Sequence, residues 1–299
     1  MATRHDLDWS YTQIDRLFRA SIGQTADFSN AKYDGDFSLT LEQAQRRKHE
    51  FIADQIGLRP GSRVLDMTCG WGPFLRFAQE RGAHGIGTSL ARAQVEACRS
   101  NGLDAHLMDC RTITPDTLGS FDAVVCVGGF EHFATREEYD AGRQDAVYDA
   151  FFRGVHALLP PRGRFYMQSM VFGRHMVAAD RVDINAPHGS DGHVLALLAA
   201  QFPGSWLPYG LEQIERTAAP YFRTVHAESG RLDYIETTRQ WKLRFAAFGL
   251  KKFAIKLTLL PRYLTSKQFR DAFASGIEAN SVCFQRELLD HYRVVLERA

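Results

Sequence analysis

The nine residues Val64-Leu65-Asp66-Met67-Thr68-Cys69-Gly70-Trp71-Gly72 constrain this chain more than any other stretch. The apolar run predicts a buried strand from Arg63 to Thr68, and the two glycines predict a tight turn. Pro73 then opens a helix, Phe74 to Glu80, that Gly82 closes. Proline suits the first helical turn, where its missing N–H costs nothing. Glycine suits the C-terminal cap. Strand, glycine turn and helix start together make a cradle. The glycines let the backbone approach a ligand, and the unpaired N–H groups favour a carboxylate or phosphate.

Two positions narrow the ligand. A dinucleotide fingerprint needs a third glycine three residues after the second, and Leu75 stands there. Asp66, at the end of the strand, favours an ammonium group over a phosphate. S-adenosylmethionine carries both an ammonium and a carboxylate. The alternative is an ordinary strand–turn–helix with incidental glycines, and the rest of the chain argues against it.

Upstream, residues 5–22 read as an amphipathic helix with Trp9, Ile14, Leu17, Phe18 and Ile22 on its apolar face. A polar loop covers 27–36, and Thr40 with Gln43 forms a capping box for a helix from Leu41 to Ile56. Downstream, strands and helices alternate. Strands are predicted at His84–Ser89, Asp104–Met108, Phe121–Val127 and Gly163–Met170, with helices at Ala91–Ser100 and Tyr139–Leu158. This rhythm implies a parallel sheet covered on both faces. Its ligand then lies at the C-terminal strand ends, where Asp66, Ser89, Asp109 and Gly128–Glu131 all fall. Residues 171–220 read as an insertion rich in His, Gly and Pro, and its His175, His188 and His193 lack a metal-helix spacing and read as surface residues. Phe222–Glu228 is a sixth strand, 235–250 and 265–290 are helical, and Tyr292–Glu297 is a closing strand.

Bulk properties exclude several classes. A chain of 299 residues allows one large domain or two small ones. A net charge of +1 implies no field for nucleic acid. Five cysteines without a CxxC argue against a disulfide framework or a structural metal and fit a reducing cytoplasm. No signal peptide, membrane-spanning run, internal repeat or low-complexity segment is read.

From about Phe28 onward the chain resembles the cyclopropane fatty acid synthase family, which includes the mycolic acid methyltransferases. The resemblance rests on Leu39-Thr40-Leu41-Glu42-Gln43-Ala44-Gln45, Cys69-Gly70-Trp71-Gly72, Phe130-Glu131-His132-Phe133, Phe202-Pro203-Gly204 with Leu207-Pro208, and Asp233-Tyr234 with Trp241. It implies an α/β fold, a doubly wound seven-stranded Rossmann-like methyltransferase sheet. An N-terminal helical segment with a cofactor-covering loop (1–60) precedes the methyltransferase domain (61–299), and helical lid insertions lie at about 171–220 and 239–290. Enzymes of this family transfer the S-adenosylmethionine methyl to an alkene carbon of an acyl chain. The resulting cation closes to a ring or resolves to a methyl branch or an alcohol.

The resemblance also implies site residues. Asp66, Thr68, Gly70 and Gly72 would hold the methionine part of the cofactor, and Ser29 belongs to the loop that closes over it. Ser89, Leu90 and Gln94 match the segment after the second strand. Asp109 and Cys110 follow the third, where Cys110-Arg111 replaces the usual tryptophan–glutamate pair, and Phe28 replaces a common tyrosine. Glu131 and Tyr234 match active-site residues. The family commonly has a bicarbonate-binding cysteine where this chain has Asn30, and often a histidine where it has Gln168. Bicarbonate is the proposed base of ring closure, so it is a doubtful cofactor here. Asn30 and Gln168 are instead read as a polar wall toward the substrate.

Chemistry leaves several roles open. Methyl transfer from a sulfonium is an in-line displacement in which the protein supplies alignment and charge complementarity. Glu131 could stabilise a carbocation, accept an amine proton or orient water; it could also merely sit at a helix start. His132 is either a base or a packing neighbour of Glu131. Tyr234 offers its ring to cationic character or its hydroxyl as a donor, or is simply buried. Residues 239–270 carry nine Lys/Arg and no acid, with apolar residues between them. Such a stretch suits an anionic membrane, an acidic carrier protein, or a lid with its apolar face in the core.

The leading reading is a methyltransferase acting on carbon in an unsaturated lipid-like acceptor, cytoplasmic or peripheral at the inner membrane face, with a homodimer allowed. The alternatives are N-methylation of a small amine and a non-catalytic cofactor-binding partner protein.

Overall fold

A computed structural model describes residues 17, 19–22, 26–200, 204–265 and 278–299. The predicted helix over 5–22 therefore lies largely outside the described residues, although Leu17 and Ile22 are buried. Phe202, Pro203 and residues 266–277 lie outside them too.

Helix α1 (Leu41–Ile56) starts at the predicted capping box: Gln43 N–H donates to Thr40 Oγ1 and Thr40 N–H to Gln43 Oε1. It stops at Gly57, whose φ of 66° a left-handed cap requires. Strand β1 (Arg63–Asp66) ends two residues earlier than predicted, because the Thr68 N–H turns back onto Asp66 Oδ1. Helix α2 (Pro73–Glu80), β2 (His84–Ser89), α3 (Arg92–Ser100), β3 (Asp104–Leu107) and β4 (Ala123–Val127) follow within a residue or two of expectation.

The helix expected over Tyr139–Leu158 is two pieces. Gly142, at φ 67°, separates a short turn at Arg136–Asp140 from α4 (Gln144–Leu158). Strand β5 (Arg164–Phe172) runs past Met170 because β7 pairs with it along its whole length. The segment read as an insertion holds α5 (Asp191–Ala199) and α6 (Gly210–Ala218). Strand β6 (Phe222–Ser229) leads to α7 (Arg231–Ala246) and α8 (Leu250–Thr265), which break at Ala247–Gly249 rather than running through 250. Strand β7 (Leu289–Arg298) is longer than predicted because it is bonded on both sides.

The sheet order is β3-β2-β1-β4-β5-β7-β6, parallel except for β7. One face packs Val64, Val125 and Tyr166 under α1 and α2 through Ile52, Phe74 and Phe77. The other packs Leu65, Val124 and Phe165 under α4 and α6 through Phe151, Phe152 and Ile214. A third apolar cluster caps the C-terminal edge of β5, with Tyr33, Met170, Phe172, Trp206, Tyr234 and Trp241. Strand order reverses at β1 and β4, so the crevice of a doubly wound sheet opens beyond Asp66 and Val127.

Candidate functional site

The turn after β1 is built by glycine geometry. Gly70 and Gly72 have φ of 53° and 76°, and a Cβ on Gly72 would stand 2.6 Å from Leu103 Cδ1. Only glycine fits both the dihedral and the space. Leu75, in the place of a third fingerprint glycine, is accommodated by glycines on the strand instead. Cβ atoms on Gly85 and Gly87 would meet its side chain at 3.0 and 2.6 Å. Thr68 ties the turn to the end of β4, its hydroxyl donating to Val127 O and accepting from Val127 N–H, both at 3.0 Å.

A cleft of ≈ 470 Å³ lies over these strand ends. Asp66, Thr68 and Gly70 form its floor, while Gly72 shapes the turn from behind without lining the cleft. Ser89, Leu90 and Gln94 line it beyond β2, where Ser89 Oγ donates to Gln94 Oε1 at 2.7 Å. Asp109 and Cys110 line it beyond β3. The Asp109 carboxylate is already bound to Arg111, at 2.7 Å from Nη2. Burial, followed by the Asp109 charge, pushes the Cys110 thiol up to about 12, so it acts as a neutral wall.

Asp66 is 3 % exposed, and its carboxyl is pushed up to about 7. Burial is the main cause, and the negative Asp27 adds to it against the Thr68 N–H and Lys48. A buried carboxylate so placed favours a cation beside it.

Sequence reasoning missed the group that holds the cover. Lys48 on α1 donates to Asp27 Oδ2 at 2.7 Å, to Gln45 Oε1 at 2.6 Å and to Ser29 Oγ. Ser29 Oγ in turn donates to Asp27 Oδ1 at 2.6 Å, and His49 Nε2 lies 2.9 Å from Asp27 Oδ2. Burial raises the Asp27 carboxyl, but Lys48 and His49 outweigh it and hold the group well below the usual carboxylate range. Lys48 and His49 are both lowered by burial, against the pull of Asp27. Asp27, Ser29, Lys48 and His49 all line the cleft. Phe28 lines it as well, stacked on Trp241 with centroids 4.5 Å apart. Arg111 and Trp71 were also missed; Trp71 Nε1–H is a buried donor with no acceptor among the described residues.

Glu131 and Tyr234 sit one layer back. Glu131 lies on the turn Phe130–His132 and is 3 % exposed, with Ser169 Oγ donating to its Oε2 at 3.2 Å. It stands behind the cleft wall at Gly128, where a Cβ would be 3.8 Å from Glu131 Oε1. Burial raises its carboxyl, against the charge of His132. Tyr234, on α7, stacks on His291 at 5.4 Å and accepts from Asn280 Nδ2 at 3.2 Å. Burial pushes its hydroxyl up to about 12, and the Glu131 charge contributes. His132 is placed differently. It borders the cleft and also a small apolar pocket of ≈ 40 Å³ walled by Met170, Phe172, Leu195, Leu198 and Trp206. Its Nδ1 lies 3.1 Å from Ser205 Oγ.

Asn30 and Gln168 are not on the cleft wall. Both are fully enclosed. Asn30 Nδ2 donates to Gly230 O at 2.9 Å, and its Oδ1 accepts from Thr237 Oγ1 at 3.3 Å. Gln168 Nε2 donates to Asn30 O, and its Oε1 accepts from Tyr166 OH, both at 2.9 Å. Neighbouring Arg293 is neutralised by Asp233 and Glu228, at 2.8 and 3.2 Å. The two amides lock the loop to β5 and α7, and neither lines the cleft over the strand ends.

The sheet order, the glycine turn and the buried Asp66 on the cleft floor fit an S-adenosylmethionine-dependent methyltransferase, and the family match shows that class. Residues 2–293 match the family described as mycolic acid cyclopropane synthetase, and the chain belongs to it. Cyclopropane mycolic acid synthase 3 of Mycobacterium tuberculosis is 26% identical over 274 residues, covering 88% of this chain and 91% of that protein. Cyclopropane-fatty-acyl-phospholipid synthase of Escherichia coli strain K12 is 29% identical over 263 residues, covering 86% of this chain and 59% of that protein. The crystal structure of mycolic acid cyclopropane synthase CmaA1 complexed with SAH and CTAB superposes with a TM-score of 0.76 at 22% identity, covering 96% of this chain and 95% of that one.

Proposed function

We propose that this enzyme methylates a carbon of an unsaturated, lipid-like acceptor, and that it does so without bicarbonate. The observation that carries the reading is the double placement of His132, which borders both the cofactor cleft and an apolar pocket. An acceptor with an apolar chain would set that chain against the apolar walls of the pocket, with its reacting carbon toward the cofactor cleft. The names of the relatives support the same acceptor class.

S-adenosylmethionine, when bound, supplies an electrophilic methyl on a sulfonium. Asp66 pairs with the ammonium of its amino acid end, which draws the buried carboxyl to its charged form. The loop carrying Ser29, fixed by Lys48 and Asp27, excludes water from that end. Ser89 and Gln94 offer hydroxyl and amide groups to the sugar, and Leu90 with Cys110 offers apolar contact to the base. From behind the wall at Gly128, the Glu131 carboxylate would stabilise positive charge developing on the acceptor and would be the nearest buried carboxylate to take its proton. The Tyr234 ring adds to that stabilisation.

The test is incubation with methyl-labelled S-adenosylmethionine and a lipid extract, followed by mass spectrometry. Label in an acyl chain carbon supports the reading. Label confined to a small amine replaces it with N-methylation.

A further inference from the structure

Two of the five cysteines meet beneath the cofactor turn. Cys69 opens the turn after β1 and lines the cleft, while Cys98, near the end of α3, is fully buried. Both thiols point at one carbonyl: Cys69 Sγ lies 3.7 Å from Gly70 O, and Cys98 Sγ 3.5 Å from it. The two are also hydrogen-bonded to one another. Room for the sulfurs comes from missing side chains. A Cβ on Gly87 would stand 2.7 Å from Cys69 Sγ, and one on Gly72 would stand 3.0 Å from Cys98 Sγ. Leu75, Val95, Leu103 and Ala105 pack around the pair.

This contact sets the pair apart from the other three cysteines. The shared hydrogen bond draws the Cys98 thiol below its ordinary value, against burial, and pushes Cys69 up. One proton therefore leaves the pair more readily than it leaves an isolated buried thiol, and the other stays between the sulfurs. Cys110 and Cys283 are pushed up to about 12, mainly by burial, and Cys126 is raised by burial as well. Oxidation of cysteine follows thiolate character and access. The pair has the first through its hydrogen bond and the second through Cys69 on the cleft wall.

We infer that Cys69 and Cys98 form a site of reversible oxidation, closed to a disulfide by a hydroperoxide that enters through the cofactor cleft. Cys98, as the thiolate, takes the Cys69 proton. The Cys69 sulfur attacks the O–O bond and becomes a sulfenic acid, and the other oxygen leaves as an alkoxide or hydroxide that takes up the proton the pair gave away. The Cys98 sulfur then attacks the Cys69 sulfur, the S–O bond breaks, and water leaves with the Cys98 proton. The two thiols lose two electrons in all, and the hydroperoxide is reduced to an alcohol and water. A disulfide holds its sulfurs about 2.05 Å apart. Drawing the two thiols to that distance pulls the turn carrying Gly70 and the helix carrying Gln94 toward one another, and both residues line the cleft. Oxidation therefore distorts the cradle and weakens cofactor binding. The inference concerns the cofactor site and holds for whichever acceptor is methylated.

The experiment treats the full chain with hydrogen peroxide, blocks the remaining thiols and maps disulfide-linked peptides by mass spectrometry. Calorimetry on the same samples measures affinity for S-adenosylhomocysteine. A Cys69–Cys98 link is expected, with affinity at least tenfold lower, and dithiothreitol is expected to restore it. Prior saturation with S-adenosylhomocysteine is expected to slow linking at least tenfold, because the ligand covers Cys69. Cys98→Ala is expected to bind the ligand as the wild type does and to keep that affinity through the same treatment. If Cys98→Ala does not fold, Cys98→Ser takes its place under the same criteria. Four results overturn the inference: no link between the two cysteines, linked protein with unchanged affinity, linking that S-adenosylhomocysteine does not slow, or an equal loss of affinity in the folded variant.

Discussion

Lys48 and Asp27 form a buried ion pair, 2.7 Å between Nζ and Oδ2, with side chains 2 % and 3 % exposed. The pair joins α1 to the loop over the cofactor cleft. Removing one partner leaves the other charge buried and alone, a loss of about 3–5 kcal/mol. Lys48→Met is therefore expected to lower stability by that order in denaturant unfolding and to weaken cofactor binding, since Ser29 loses its anchor. The Asp27 carboxyl is held below its ordinary value. Its contribution is thus full above about pH 4 and fades as pH falls through the folded value. The stability gap between wild type and Lys48→Met should narrow below about pH 4; a constant gap would show that the pair's charge is not its source.

Asp66 shows the opposite sign. Its carboxyl is raised to about 7, so in the free enzyme at pH 6 it is mostly protonated. An ammonium ligand draws it to the carboxylate, and binding of S-adenosylmethionine should release close to one proton. Calorimetric titrations at pH 6 in two buffers of different ionisation enthalpy measure that release directly. Asp66→Asn should abolish it and weaken binding at least tenfold. In the free protein, this raised group costs stability as pH climbs from about 4 toward 7.

Gly72→Ala tests the turn. Alanine would sit at φ 76° with its Cβ 2.6 Å from Leu103 Cδ1. Left-handed strain and overpacking together cost roughly 2–4 kcal/mol. The melting temperature should fall clearly. The parallel substitution Gly70→Ala meets nothing within 4 Å and should cost less, only its backbone strain.

Much of this frame is legible in local signals. The Thr40–Gln43 cap and the strand ends at Ser89 and Val127 follow from capping and hydrophobic runs. The misses have a common cause, which is contact between distant segments. Lys48 sits in Arg46-Arg47-Lys48-His49, which reads as a solvated basic face; its burial depends on a loop some twenty residues away in sequence. The enclosure of Asn30 and Gln168 leaves no local signal, because Asn30 is closed in by Gly230 and Thr237 of α7 and its cap, and Gln168 by the Asn30 carbonyl, all distant in sequence. Gly142 breaks a helix whose apolar spacing gave no warning, and β7 lengthens because two strands flank it.

The enclosure of Asn30 and Gln168 also predicts how the reaction responds to bicarbonate. Their polar side-chain atoms have protein partners, which fits the proposed route without bicarbonate. Turnover in degassed, bicarbonate-free buffer should equal turnover in buffer supplemented with bicarbonate. A marked rise on supplementation would locate the anion at some other group of the chain.

Glu131 is the decisive position for the chemistry. It is buried behind Gly128, held by Ser169, and raised by burial, so it keeps a proton more readily than an exposed glutamate. Glu131→Gln keeps the shape and the hydrogen bond from Ser169 while removing the charge. Cofactor affinity should stay within about twofold, because the side chain lies behind the wall and not on it. Release of S-adenosylhomocysteine in the presence of acceptor should fall by about 10² or more, the range of a lost charge stabiliser or proton acceptor. In the wild type that release should rise with pH as the raised carboxyl ionises, and in the variant the rise should vanish. Normal turnover in Glu131→Gln, with its pH dependence intact, would return Glu131 to a packing role and leave the cationic stage to the Tyr234 ring alone.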